Sequence, residues 1–189
     1  MNHRRPSRSL TRARGFTVIE LLIVVALVGV LTALAVPSFV GMIQRNRVSA
    51  EVNSFAGDLQ FARSEAIKQG LPVSVCASSN GKTCLGANTW HSGWIVFVDL
   101  NGSGTVDNTN DTVSRIRPAW SGGDTFVAAP SMTSVTYSRD GFANLPVGTG
   151  TAVLMTLHTA PVNANATRCV SINRVGHHSV LTGGTGGCS

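Results

Sequence analysis

The sequence predicts an α+β protein in which one long N-terminal helix packs against a C-terminal antiparallel β-domain. Three observations predict it: a nearly uninterrupted apolar run from Phe16 to Val36, a stripe of apolar residues at helical spacing from Val48 to Ala66, and short β-branched runs separated by Gly, Asn, Asp and Pro from Val73 onward. At 189 residues, with 43% apolar and 13% charged residues, the chain has room for one globular domain plus an anchor, which excludes a disordered chain and a multidomain enzyme.

Residues 1–15 read as a basic leader. Arg4, Arg5, Arg8, Arg12 and Arg14 all precede Phe16 with no acidic residue among them, a bias that holds the N-terminus in the cytoplasm and sends the rest across the membrane. Without residues 1–15 the 15 Lys+Arg fall to ten against nine Asp+Glu, so the formal charge of +6 drops to about +1. The basicity belongs to the leader and is no nucleic-acid footprint. A secretory signal is cut after its apolar core, whereas Gly15 stands before it, so the apolar segment is expected to stay on the protein.

Residues 16–36 are apolar all round except for Thr17, Glu20, Gly29 and Thr32, and about 20 such residues span hydrocarbon. Glu20 is the anomaly, because a carboxylate at that depth costs up to about 2.5–3.5 kcal/mol on insertion scales and is retained mostly where a partner is supplied. In residues 37–70 the pattern becomes amphipathic. Val48, Val52, Phe55, Leu59, Ala62 and Ala66 form one helical face, while Arg45, Arg47, Glu51, Asp58, Arg63 and Glu65 fall largely elsewhere. The two halves read as one helix of roughly 55 residues, about 80 Å long, ending near Gly70 with Pro72 just beyond. Pro37 removes a backbone donor near the junction, where a bend or a melted turn is expected.

Residues 71–189 read as the β-domain. Strands are expected at Val73–Cys76, Trp94–Val98, Val113–Ile116, Ser134–Tyr137, Ala152–Leu157 and Cys169–Ile172, forming an antiparallel sheet over the amphipathic helix face. The four cysteines allow three connectivities. Pairing by nearness joins Cys76 to Cys84 and Cys169 to Cys188, closing two short loops in a chain that leaves the reducing cytoplasm. Asp99, Asn101, Ser103 and Asp107 place oxygen ligands at alternate positions with Gly104 sixth, as calcium loops do, but the twelfth place is Asn110 rather than a bidentate Glu. A Gly/Asn/Asp hairpin between Val98 and Val113 is therefore preferred over calcium.

Gly15-Phe16-Thr17-Val18-Ile19-Glu20, followed by the apolar run, resembles the type IV prepilin signature. The resemblance implies cleavage by a prepilin peptidase between Gly15 and Phe16, N-methylation of Phe16, and assembly roles for Glu20 and for Pro37, the counterpart of the family's helix-loosening proline. Glu20 would pair with the α-amino group of Phe16 on a neighbouring subunit. Arg45-Asn46-Arg47, the segment Leu59 to Ile67 and Trp94 to Asp99 are similar to the minor pilin and pseudopilin group of FimT, FimU and GspH.

The resemblance implies an inner-membrane single-pass protein with a periplasmic domain, moving on assembly to a surface pilus or a periplasmic pseudopilus. Its expected role is that of a minor pilin placed at or near the fibre tip, with other major and minor pilins or pseudopilins as partners and links to twitching motility, adhesion or DNA uptake. A GspH-like pseudopilin of type II secretion is the rival. A DNA-binding pilin is the third reading. Some FimT-like pilins carry a Gly-Arg-x-Arg motif near the C-terminus, and here Arg168 and Arg174 are the candidates, with Asn173-Arg174-Val175-Gly176 keeping one arginine of that motif. His177 and His178 are expected to make no metal or catalytic pair, because adjacent residues on a strand point to opposite faces. No G-x-S-x-G, P-loop or HExxH occurs, and no enzyme is expected.

Overall fold

In a computed structural model, which describes residues 15–107, 109–129, 131–145 and 150–189, one helix, α1 (Val18–Gln69), precedes nine strands. The leader arginines lie outside the described residues. Thr17 caps the helix, its hydroxyl accepting the Glu20 N–H at 3.3 Å, which supplies one of the orphan donors of a helix start. At the other end Gly70 takes the left-handed conformation, with φ 68°, and its N–H reaches the Ala66 carbonyl at 3.0 Å. A residue with a Cβ would be strained there. The backbone remains α-helical at position 37. The melted turn expected at Pro37 is not present, because a proline inside a helix removes one donor and need not unwind its neighbours.

The chain divides into two compact units, one ending at Val40 and the other running Gly41–Ser189. In the first, the apolar side chains of the helix from Val18 onward are exposed. The second holds the core. Its strands are β1 (Val73–Ala77), β2 (Trp94–Val98), β3 (Thr112–Arg117), β4 (Thr125–Ala129), β5 (Ser134–Tyr137), β6 (Ala143–Asn144), β7 (Ala152–His158), β8 (Arg168–Asn173) and β9 (His178–Thr182), with a 3-10 turn at Trp90–Ser92.

They form two sheets rather than the single one expected, ordered β3-β2-β1-β5-β6 and β4-β7-β8-β9, and every pairing is antiparallel. The reason is visible in burial. In β4 and β7 only alternate residues are buried, whereas β1 and β2 are buried throughout, so the first sheet needs cover on both faces. Its far face carries Cys76, Ile95 and Phe97, covered by Cys84, Val106 and Val113.

The helix stripe predicted from spacing is the centre of the main core: Val48, Val52, Phe55, Leu59, Ala62 and Ala66 are all at most 1% exposed. Phe55 meets Trp90, Trp94 and Phe126 edge-on at 5.4, 5.2 and 5.0 Å, the arrangement that aromatic quadrupoles favour. Farther along, the Arg63 guanidinium donates to the carbonyls of Gly141 and Val175 at 3.0 and 3.1 Å, one from the turn before β6 and one from the β8–β9 turn. There is no space for side chains between those turns, since a Cβ on Gly176 would overlap the Gly141 carbonyl oxygen.

Asp58 corrects the expected division of the helix into apolar and solvated faces, because it is fully buried. Its carboxylate accepts from Arg117 at 2.7 and 3.1 Å, Arg115 at 3.0 Å and the Trp94 indole at 3.0 Å. Burial pushes its pKa up, but the hydrogen bonds from Arg117, Arg115 and Trp94 outweigh burial and hold it below the usual carboxylate range. Arg115 also lies over the Phe61 ring, 3.5 Å from its centroid. Substituting Asp58→Ala leaves the indole N–H unpartnered and two half-exposed arginines without their acceptor. Urea unfolding of the Gly41–Ser189 unit is expected to register a loss of about 2–3 kcal/mol. Because the folded pKa is depressed, the Asp58 contribution is present above the unfolded carboxylate value and fades as pH falls through the folded one.

Candidate assembly site

Gly15, Phe16 and Glu20 are brought together only by the chain itself. Phe16 is 82% exposed, and Glu20 stands exposed in the first helical turn, where the positive end of the helix dipole favours a carboxylate. Behind it Ile23, Val24, Leu27, Leu31 and Leu34 are all more than half exposed. Among the described residues this is the one helix long and apolar enough to cross a membrane, by length and composition. Such a surface requires lipid or other apolar helices against it. The geometry therefore offers one anion at the head of an uncovered apolar rod, which suits it for association rather than for turnover.

Nearer the core, the polar flank of the helix is engaged by the β-domain. Arg47 donates to both oxygens of buried Asp124 at 2.9 and 2.7 Å, and Asp124 also accepts the Ala160 N–H. One turn on, Glu51 borders an open cleft of about 330 Å³ with Trp94, Arg117 and Trp120. Its Oε2 is buried with no hydrogen-bond partner. Burial, with a smaller push from the Asp124 charge against the pull of Arg47, raises the Glu51 carboxyl to about 7. Sequence reading missed this flank. The signal was available: Arg47, Glu51 and Asp58 each immediately precede a member of the buried stripe.

Both cysteine pairs are disulfides, Cys76 with Cys84 and Cys169 with Cys188. The polar side chains of the candidate calcium loop are hydrogen-bonded to the loop itself and to the sheet. Asp99 is buried, and its oxygens accept from the Ser74 hydroxyl at 2.6 Å and from the N–H groups of Ser103 and Gly104 at 3.1 and 2.8 Å. The Asn101 amide donates to Asp107, and the Ser103 hydroxyl donates to the Thr105 carbonyl. Among the described residues no group of His, Cys, Asp or Glu is arranged to hold a metal ion. The loop is a self-bonded cap that places Val106 on the far face of the first sheet.

Arg168 opens β8 and Arg174 follows its last residue in the turn, about 20 Å away at strand rise. Arg168 donates to the Asn165 and Thr167 carbonyls, and Arg174 to Gly150. They make no shared patch. His177 lies in the turn rather than on a strand, so the argument that adjacent strand residues diverge does not apply to it. The two histidine rings lie 6.4 Å apart. Burial, then His177 and Arg63, hold the His178 pKa below its ordinary value.

A family model described as Type II transport protein GspH matches residues 51–176, and one for the prokaryotic N-terminal methylation motif matches residues 10–36. The chain is 37% identical over 84 residues to the type IV narrow pilus major component PilA5 of Thermus thermophilus, covering 43% of this chain and 72% of that one. It is 32% identical over 101 residues to the type IV major fimbrial protein FimA of Dichelobacter nodosus, covering 53% of this chain and about half, 54%, of that relative. The crystal structure of the type IV minor pilin FimU of Pseudomonas aeruginosa has the same fold, with a TM-score of 0.56 at 18% identity over 75% of this chain and 93% of that one.

Glu51 provides a test of the polar flank. Its folded pKa lies above the unfolded value of 4.5, so ionisation opposes folding. The stabilising effect is complete below 4.5 and is lost as pH rises through about 7. Glu51→Gln should therefore raise the urea midpoint of the Gly41–Ser189 unit at pH 8, and the gain should vanish by pH 4. A gain of equal size at both pH values would refute the assignment.

Proposed function

Because this chain belongs to the GspH family of type IV pilin-like proteins, matched over residues 51–176, we propose that it is a minor type IV pilin subunit that a prepilin peptidase cuts between Gly15 and Phe16. Phe16 is then N-methylated. Residues 16–36 anchor the protein once across the inner membrane with the β-domain in the periplasm, and on assembly the same apolar helix exchanges lipid for the helices of neighbouring subunits. The role is structural.

One observation carries this reading: Glu20, at the head of an exposed apolar helix and directly behind the Gly15-Phe16 junction. A carboxylate among packed apolar helices is costly unless paired. The new α-amino group of Phe16 on the adjacent subunit would supply the partner, so each subunit is registered on the next by one charge pair. Pro37, lacking a backbone donor, is the position at which the helix can loosen during that transfer. Incorporation at or near the fibre tip, to start assembly, follows from a subunit of the minor class.

The match to the type II transport protein GspH family favours a second reading, a pseudopilin of type II secretion, with the same processing and the same Glu20 contact. Shearing separates the two: a pilus subunit leaves with surface fibres, and a pseudopilus subunit stays in the envelope. For either fibre, Glu20→Ala is expected to leave cleavage at Gly15 unchanged by immunoblot mobility while lowering incorporation into the fibre fraction at least about tenfold, the equivalent of losing about 1.4 kcal/mol per contact. Normal incorporation of the variant would overturn the registration role.

A further inference from the structure

The two sheets have four edges; neighbouring groups take outward backbone bonds on two of them, and a third carries charge. Along β4, outside its pairing with β7, Asn88 caps both the N–H and the carbonyl of Ala128 at 2.8 Å, and the Phe126 N–H reaches His91 Nδ1 at 3.2 Å. β3 carries two arginines, Arg115 and Arg117, and faces β2 across a register shift at Val96/Phe97. β6 is two residues long, and its outward Ala143 N–H is taken by the Arg174 carbonyl. These are the devices by which sheets avoid pairing with other chains.

β9 has none of them. The Asn173 N–H to His177 bond and the Gly183 N–H to Thr167 bond fix its register on β8. In that register Ser179 and Leu181 bond inward, while the backbones of His178, Val180 and Thr182 face away from the sheet. The Thr182 carbonyl is occupied by the Thr185 N–H and hydroxyl. That leaves three N–H groups and the carbonyls of His178 and Val180, repeating about every 7 Å, a spacing that another strand matches. The strand has no Lys, Arg, Asp, Glu or Pro. Val180 lies 43% exposed on the same sheet face as the buried Val170 opposite it, so an added strand would extend the core.

We propose that β9 is a docking edge on which an extended, uncharged segment of a neighbouring fibre subunit pairs as a fifth strand of the second sheet. The inference rests on the reading of this chain as a fibre subunit and supplies a β-domain contact beside the helical one. An unpaired edge recognises backbone, so affinity comes from main-chain hydrogen bonds, and the absence of charge on β9 sets the preference for an uncharged segment.

Val180→Pro tests it. The Val180 N–H points outward, so proline there removes the central donor of the edge and leaves the β8 ladder intact. The full-length variant is expressed in its own host, sheared fibres are immunoblotted, and thermal unfolding is followed on the Gly41–Ser189 unit, which holds the whole core and both disulfides. An unchanged unfolding midpoint with incorporation reduced about tenfold or more supports the edge, as expected if an incoming strand depends on the outward Val180 N–H. Incorporation equal to wild type overturns it and leaves the fibre reading standing. If Val180→Pro lowers the midpoint, Val180→Lys decides, because it keeps every backbone group but sets a charge beside the incoming strand; equal incorporation of that variant overturns the edge. Absence of the wild-type protein from any fibre overturns the fibre reading and the edge with it.

Discussion

Phe55 has no polar atom and no contact with solvent, and rings from three separate chain segments meet it edge-on: Trp90 from the 3-10 turn, Trp94 from β2 and Phe126 from β4. Trp94 belongs to the first sheet and Phe126 to the second, so this contact holds both sheets to one helix. The interlocked geometry explains why the sheets need not pair with each other through a shared strand. Each buries its apolar face on the same stripe, which runs from Val48 to Ala66. An interior packed to this density responds to the loss of a single ring by leaving a void rather than by flowing into it.

Around that stripe the polar groups divide into two kinds. Asp58 and Asp124 are buried and meet arginines with good geometry. Both pairs join the helix to the β-domain, to β3 and to the segment just before β4. Glu51, between them on the helix, has an oxygen without a partner. Paired carboxylates fix which residues face each other but contribute little net free energy over an apolar contact. The unpaired one opposes folding when charged, so the helix seat is tightest where Glu51 keeps its proton.

The parts of this protein legible in its sequence are those governed by local periodicity and by special residues. Helical spacing identified all six buried stripe positions, Gly70 and Pro72 located the helix end, and the apolar runs located six of the nine strands. The remaining three lack that signal. β4 is Thr-Phe-Val-Ala-Ala, with small residues at its end; β6 is two residues long; β9 follows directly on a turn and buries no side chain fully. The split into two sheets was illegible because it depends on which strands are covered on both faces, a property of tertiary packing. The candidate assembly residues stood out because a charge at the edge of an apolar run breaks its own local rule. Asp58 and Glu51 did not, since a carboxylate one position from a buried stripe reads as solvated until the opposing arginines are placed.

Arg63 has a mechanical meaning. Its guanidinium reaches turns belonging to both sheets, and beside it Gly141 and Gly176 meet backbone to backbone without side chains between them. The β8–β9 hairpin is thereby tied at its turn to the helix. A pull applied along β9 loads the row of β8 hydrogen bonds in shear, all at once, and passes through the turn into α1 instead of unzipping the hairpin bond by bond. Cys169–Cys188 fastens the opposite end of the same hairpin to the segment that follows β9. A strand pinned at both ends can bear tension that a free hairpin would relieve by peeling.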